Sequence, residues 1–230
     1  MDRQKNKYYY LKGIKNGMPI CLGYLAVSFT LGITARNAGM TAWQAMLTSL
    51  ACNASAGQYA GFTVIAAGGT YFEMILMELV ANARYLLMSC SLSQKFSSET
   101  GLLHRLLVGF DVTDEIFGVA VSEPGKLNPF YNYGMMTVAI PGWSLGTFFG
   151  VIMGNILPAN IVSALSVGLY GMFLAIIIPP ARKNKVIAAL VTISMVSSYI
   201  FSRLPVISDI SSGIRTIILT VAIAGIAAIL

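Results

Sequence analysis

Charge is what this sequence has least of. Only 10% of its 230 residues are Asp, Glu, Lys or Arg, against about 25% in a soluble globular domain. With 56% hydrophobic residues, that scarcity excludes an ordinary soluble domain and places the chain in a membrane. Metal donors are equally thin. His104 is the single histidine, and the three cysteines, Cys21, Cys52 and Cys90, lie in apolar segments with no CxxC pair. A zinc site or a disulfide framework has no basis in such a set. No Walker A sequence, HExxH helix or SxxK grouping occurs, which excludes P-loop ATP hydrolysis, a zinc-protease helix and an SxxK nucleophile. The longest polar stretch, SLSQKFSSETG at 91–101, leaves no room for a soluble catalytic domain. The expectation is a non-enzyme with no cofactor and no metal.

The charges that are present follow a pattern. Arg3, Lys5, Lys7, Lys12 and Lys15 crowd the first fifteen residues, and ARKNK at 181–185 holds three more. The net charge of +6 therefore reads as cytoplasmic flanks of a polytopic protein, not as a nucleic-acid surface. The opening resembles the basic region of a signal peptide. The apolar run after it, from about 17 to 35, is longer than a signal core and ends without a small-residue cleavage site, so it reads as a retained first span.

A span needs about 20 mostly apolar residues. Candidates cover 16–36, 42–69, 71–92, 102–122, 133–157, 160–178, 186–202 and 214–230. The second is long for one straight helix and the fourth is the least apolar. The two basic flanks share a side if an even number of spans separates them. Six spans satisfy this, which favours counting 102–122 as a span. A re-entrant segment there is the alternative, leaving seven or eight spans in one transmembrane domain over 1–230, with 1–15 as a cytoplasmic flank. The fold class is all-α. A faint similarity between SAGQYAGF at 55–62 and SVGLYGMF at 166–173 leaves two related halves with broken helices open, with chance similarity among small residues as the competitor.

Three polar constellations interrupt the apolar segments. Arg84 stands mid-span in ELVANARYLLMSCS, where a permanent charge is costly and normally functional. Glu78 and Asn82 share a helix face four residues apart. Arg84 points away from them and needs a partner on another helix. It is a fixed cation for a substrate carboxylate or half of a structural ion pair with Asp111, Asp114 or Glu115. Those three converge if GFDVTDEIFGV is helical, and in low dielectric at least one must take a proton or meet an arginine. A non-spanning amphipathic segment at the membrane surface is the bland alternative. In SAGQYAG, Gly57 and Gly61 have GxxxG spacing for close backbone approach, while Gln58 and Asn53 supply amides. Plain helix packing competes with a broken, ligand-facing helix there. Pro19 and Pro141-Gly142 read as kinks or half-helix starts.

GMPICLGYLAVSFTLG, SAGQYAG, NARYLLMS, DVTDEIF and the glycine- and tryptophan-bearing fifth segment, in that order, resemble the AzlC-type branched-chain amino acid exporter family, the large subunit of a two-component permease. The resemblance implies a secondary transporter that exports leucine, isoleucine, valine or analogues across the bacterial cytoplasmic membrane, with the N-terminus cytoplasmic and a small hydrophobic AzlD-type subunit as partner. Carried over by position, Asn82 and Arg84 fall on the family's Asn-x-Arg, Asp114 and Glu115 on its Asp-Glu pair, and Gly57 and Gln58 on a Gly-x-x-Gln-like segment from which this chain departs, since Gln58 follows Gly57 directly. The expected substrate-binding residues are Arg84, Asn82, Gln58 and Gly57. The expected proton-coupling residues of an antiporter are Asp111, Asp114, Glu115 and Glu78. Carriage of another small solute and a non-transporting assembly subunit are the alternatives. An ion channel is disfavoured by the few, asymmetric polar groups.

Overall fold

The computed structural model describes residues 3–154, 156, 160, 174, 177–178, 181–203 and 212–229. The segment expected at 160–178 lies almost wholly outside them, as do the SVGLYGMF copy at 166–173 and Pro179-Pro180. The helices are α1 (Arg3–Asn37), α2 (Ala42–Cys52), α3 (Ser55–Ala66), α4 (Tyr71–Lys95), α5 (Leu102–Gly109), α6 (Asp114–Ser122), α7 (Pro129–Met153), α8 (Lys185–Arg203) and α9 (Ser212–Ile229). Among the described residues the sole β-type pairing is an isolated bridge between Phe96 and Leu127. The chain is an all-α membrane protein. Four of its described helices, α1, α4, α7 and α8, are long and apolar enough to cross a bilayer.

The frame is a seam of α1 against α7. Lipid tails are as apolar as the side chains, so close backbone contact takes the place of a hydrophobic driving force. Gly13 faces Tyr131 and Gly134, Gly17 faces Met135, Gly142 faces Cys21, Gly146 faces Leu25, and Gly150 faces Phe29. Both sets of numbers rise together, so the two helices run parallel. A Cβ on Gly150 would collide with the Phe29 carbonyl, and one on Gly134 with the Tyr10 carbonyl. Pro19 and Pro141 sit inside these helices without ending them. The ends are tied by polar contacts. Lys12 pairs with Glu123 at 2.6 Å, and Arg36 Nη1 donates to the Val151 carbonyl at 2.6 Å. Tyr24 is equidistant in sequence from Lys12 and Arg36, about 18 Å along the helix from each. It therefore marks the middle of a layer whose apolar thickness is about 30 Å.

Two expected spans are instead broken hairpins. The 42–69 segment is α2 and α3, separated at Asn53-Ala54. Helix α2 starts at the far end of the bundle, with Trp43 against Phe148. It is opened by a capping box between Thr41 and Gln44, and it ends at Asn53 in the left-handed conformation, φ 40° and ψ 39°. Asn tolerates that conformation better than most residues with a side chain. Helix α3 then returns to the same end. Its Gly57 lies against Asn82 and Glu78, its Gly61 against Glu78 and Met74, and the turn glycine Gly69 against Glu73. Helix α4, with 25 residues and a length of about 37 Å, makes the full crossing back. Eleven or twelve residues per arm reach only about 17 Å, half the depth.

The 102–122 segment behaves likewise from the opposite end. Helix α5 starts beside α4 and α7, with Arg105 donating to Ser93, Ser97 and Thr100 and His104 Nδ1 2.8 Å from the Tyr133 hydroxyl. It breaks at Phe110–Thr113. Helix α6 runs back to Val121 and Glu123, whose carbonyls accept from Lys95 Nζ at 2.8 and 2.6 Å. The expected helical convergence of Asp111, Asp114 and Glu115 is thereby corrected: Asp111 is in the break, and only Asp114 and Glu115 are helical, in the first turn of α6. The break has a physical source. Thr113 caps α6, its hydroxyl accepting from Ile116 N at 3.4 Å, and a capping Thr takes an extended backbone that interrupts a continuous helix.

Candidate functional site

The two hairpin tips meet in the middle of the layer. Asn53 Nδ2 donates to Asp111 Oδ1, joining the break in one hairpin to the break in the other. Both residues are buried, with 4% and 1% exposure. Their remaining oxygens, Asn53 Oδ1 and Asp111 Oδ2, are also buried and have no hydrogen-bond partner. A small cavity of about 10 Å³ lies between the tips, lined by Tyr24, Asn53, Ser55, Tyr85, Thr113, Asp114, Glu115 and Trp143. A second, of about 50 Å³, adjoins it across Asn53, Tyr85 and Thr113. Neither admits an amino acid, so the tips are closed on one another. A far larger cavity, lined by Arg3, Lys7, Tyr10 and Phe130 among others, opens at the N-terminal end of the bundle and is remote from these groups.

Each expected site residue has a definite place. Arg84, at the centre of α4, finds its partner on another element: Nη2 lies 2.9 Å from Asp114 Oδ2. The contact is an ion pair off the N–H axis, and Nε has no hydrogen-bond partner. The guanidinium also lies 5.2 Å from the Tyr85 ring centroid. Glu115 Oε2 accepts from the Tyr24 hydroxyl at 2.7 Å, and the same hydroxyl is 2.5 Å from Thr113 Oγ1. Asn82 Nδ2 donates to Glu78 Oε2 at 2.7 Å, one turn apart on α4. That pair rests on the bare face of Gly57 and Gly61, so the GxxxG spacing seats a carboxylate and an amide, not a helix backbone.

Gln58 has a different place from the other expected groups. Its amide is used at both ends: Trp143 Nε1 donates to Oε1 at 2.8 Å, and Nε2 donates to Ser49 Oγ at 2.5 Å. Ser49 in turn donates to Thr147 at 2.7 Å. This buried chain braces the first hairpin against α7, and Trp143 stands edge-on to Tyr24 at 5.2 Å. Tyr24, Tyr85 and Trp143 line the tip cavity without having been singled out as site residues. Aromatic residues are common in apolar segments, and no sequence spacing links these three.

The electrostatics are lopsided. Glu78, Asp111, Asp114 and Glu115 lie on the elements that meet here, and only Asp114 among them is paired with Arg84. Two of the carboxylates have compensation, because Asp114 and Glu115 sit in the first turn of α6, where the helix dipole favours negative charge. Helix α3 presents the contrast. Its N-terminus has no side-chain cap and no acidic residue in its first turn, so its amide groups face the tip region with capacity for an anion. The site thus offers donors (Arg84 Nε and the α3 N-terminus) beside acceptors (Asn53 Oδ1 and Asp111 Oδ2).

Sequence comparison finds relatives among membrane proteins. A family model described as AzlC protein matches residues 19–157, the stretch from α1 through α7. An uncharacterized membrane protein of Archaeoglobus fulgidus is 30% identical over 182 residues, covering 78% of this chain and 80% of that one. The inner membrane protein YgaZ of Escherichia coli is 25% identical over 150 residues, 64% of this chain and 61% of YgaZ. An uncharacterized membrane protein of Helicobacter pylori is 24% identical over 153 residues, covering 64% of this chain and 66% of its own length. No solved structure matches.

Proposed function

This chain belongs to the AzlC family of membrane proteins, and from that premise we propose that it is a secondary transporter exporting branched-chain amino acids across the cytoplasmic membrane. The observation that supports this most is the meeting of two half-depth hairpins, entering from opposite ends, at a polar cavity in mid-layer. Irregular backbone at membrane depth is tolerated where it is buried or lines a cavity, and broken helices at the midplane are how many carriers build substrate sites. A carrier needs a site that opens to one side at a time. Each hairpin covers that site from its own end, so displacing one hairpin opens one side.

The substrate carboxylate lies against the α3 N-terminus at Gly57 and against Arg84, whose guanidinium is drawn from Asp114. Asn82 and Glu78 support that surface from α4. The excess of carboxyls over the one guanidinium supports coupling to proton entry, with substrate and proton favouring opposite-facing states. The basic flanks at 3–15 and 181–185 support a cytoplasmic N-terminus. A small hydrophobic AzlD-type subunit completes the permease.

The test is efflux of labelled leucine and valine from preloaded cells, with and without a co-expressed small subunit, in wild type, Arg84→Ala and Asp114→Asn. Saturable efflux lost in both variants, with each protein present in the membrane at wild-type level, is the expected result. No efflux of either amino acid by wild type in the presence of the subunit would overturn the substrate assignment.

A further inference from the structure

Two segments of this chain are arranged as inversions of each other. The first is α1, a hairpin from the far end and α4. The second is α4, a hairpin from the near end and α7. Each tip is a break between two short helices, Asn53-Ala54 before α3 and Phe110–Thr113 before α6. Asn53 in one break and Asp111 in the other are bonded to each other. One supplies an amide and the other a carboxyl.

The orphan oxygens of this pair point to a ligand. Asn53 Oδ1 and Asp111 Oδ2 are each bonded to the same carbon as an atom of the Asn53–Asp111 hydrogen bond, so they lie no more than about 7 Å apart. A buried acceptor without a donor is costly, and a buried carboxylate more so. An alkylammonium group carries one positive charge and three N–H donors, which answers both. A metal ion would ask for six or more oxygens if it were of the calcium type, and no cluster of three His, Cys, Asp or Glu occurs among the described residues.

We propose that Asn53 and Asp111 together bind the α-ammonium group of the transported amino acid, and that the bond between them is the tip-to-tip lock that this group opens. The proposal rests on the amino-acid reading above and adds the orientation of the substrate. Its ammonium lies between Asn53 and Asp111 and its carboxylate on the α3 N-terminus. Since the two side chains are bonded to each other and have nearly the same size, the carboxyl serves from either hairpin. Asp tolerates the left-handed backbone of position 53, so the exchange Asn53→Asp with Asp111→Asn is sterically mild.

The experiment is calorimetric binding to the full chain in lipid nanodiscs, using leucine, its 2-hydroxy acid analogue and isoamylamine. Wild type is expected to bind leucine at least tenfold more tightly than the hydroxy acid, with isoamylamine retaining measurable affinity. Asp111→Asn is expected to lose tenfold or more in leucine affinity and to bind leucine and the hydroxy acid alike. The exchanged double variant is expected to recover to within a few-fold of wild type. Equal binding of leucine and hydroxy acid by wild type overturns the ammonium assignment alone and needs no variant. So does an exchanged variant that is as defective as Asp111→Asn while eluting as a monodisperse, cooperatively unfolding protein. Isoamylamine bound without leucine would overturn the amino-acid reading and leave the ammonium site standing. Binding of neither by wild type would overturn both.

Discussion

At Gly57 an added Cβ would lie 2.5 Å from Asn82 Nδ2 and 2.5 Å from Glu78 Oε2. Neither group can retreat freely, because each holds the other at 2.7 Å. Gly57→Ala should therefore cost about 1–3 kcal/mol, the usual range for overpacking, and should reduce leucine efflux roughly tenfold. Gly23→Ala, where nothing lies within 4 Å, should change neither quantity. Thermal unfolding in detergent and the efflux assay measure the two together. Gln58→Leu removes a group satisfied at both ends, strands Trp143 Nε1 and leaves Ser49 Oγ with Thr147 as its remaining partner. Loss of a buried partner costs about 1–3 kcal/mol, so the unfolding temperature should fall clearly below wild type. An unchanged value would mean the brace adds nothing. Arg84 was legible as a residue needing a partner on another helix, because a mid-span guanidinium six residues from Glu78 points elsewhere. That the partner is Asp114 was not legible, since Asp111, Asp114 and Glu115 looked equivalent while their segment was taken as one helix.

An element-scale experiment separates a hairpin from a span. In a chain freed of Cys21, Cys52 and Cys90, single cysteines at Met40 and Gly69 flank the first hairpin, and at Thr100 and Gly125 the second. A membrane-impermeant maleimide should label both flanks of the first from one face of the membrane and both flanks of the second from the other. Labelling of the two flanks of one segment from opposite faces would restore the spanning reading for that segment. Apolar length misled here because two half-depth helices joined by two to four residues carry as many apolar residues as one full crossing. The local signals were nonetheless present. Asn53, in the left-handed conformation at the end of α2, is helix-stop chemistry, and Thr113, capping α6, is helix-start chemistry. In 42–69 an uncharged background masks the stop signal, and in 102–122 the capping Thr113 is flanked by charged residues of the same segment. Removing two spans leaves the parity between the basic flanks unchanged, while the 160–178 segment that also enters the count lies almost wholly outside the described residues.

The whole molecule encloses four carboxyls and one guanidinium around its tip region, and a cation must enter for every excess negative charge that is moved through low dielectric. Efflux should accordingly rise when the outside is acidified, and should collapse when an ionophore abolishes the pH difference. Insensitivity to both would remove protons as the coupling ion. The all-α membrane class was plain from composition alone. The parallel seam was not, because glycines on α1 and α7 are common residues whose pairing becomes visible only when the two helices are laid side by side. That seam joins positions far apart in the chain, such as Asn16 and Tyr131, which are 115 residues apart and share a hydrogen bond at 2.6 Å. During synthesis at about 5–20 residues per second, α1 must wait several seconds or more in the lipid with its glycine face unpartnered. Both hairpins emerge in that interval, too short to cross and with nothing yet to shelter their polar breaks. Biogenesis of this protein is therefore a closing operation, in which arrival of α7 converts a loose set of inserted segments into a sealed bundle, and a chain stopped short of α7 is expected to be a substrate for membrane quality-control proteolysis.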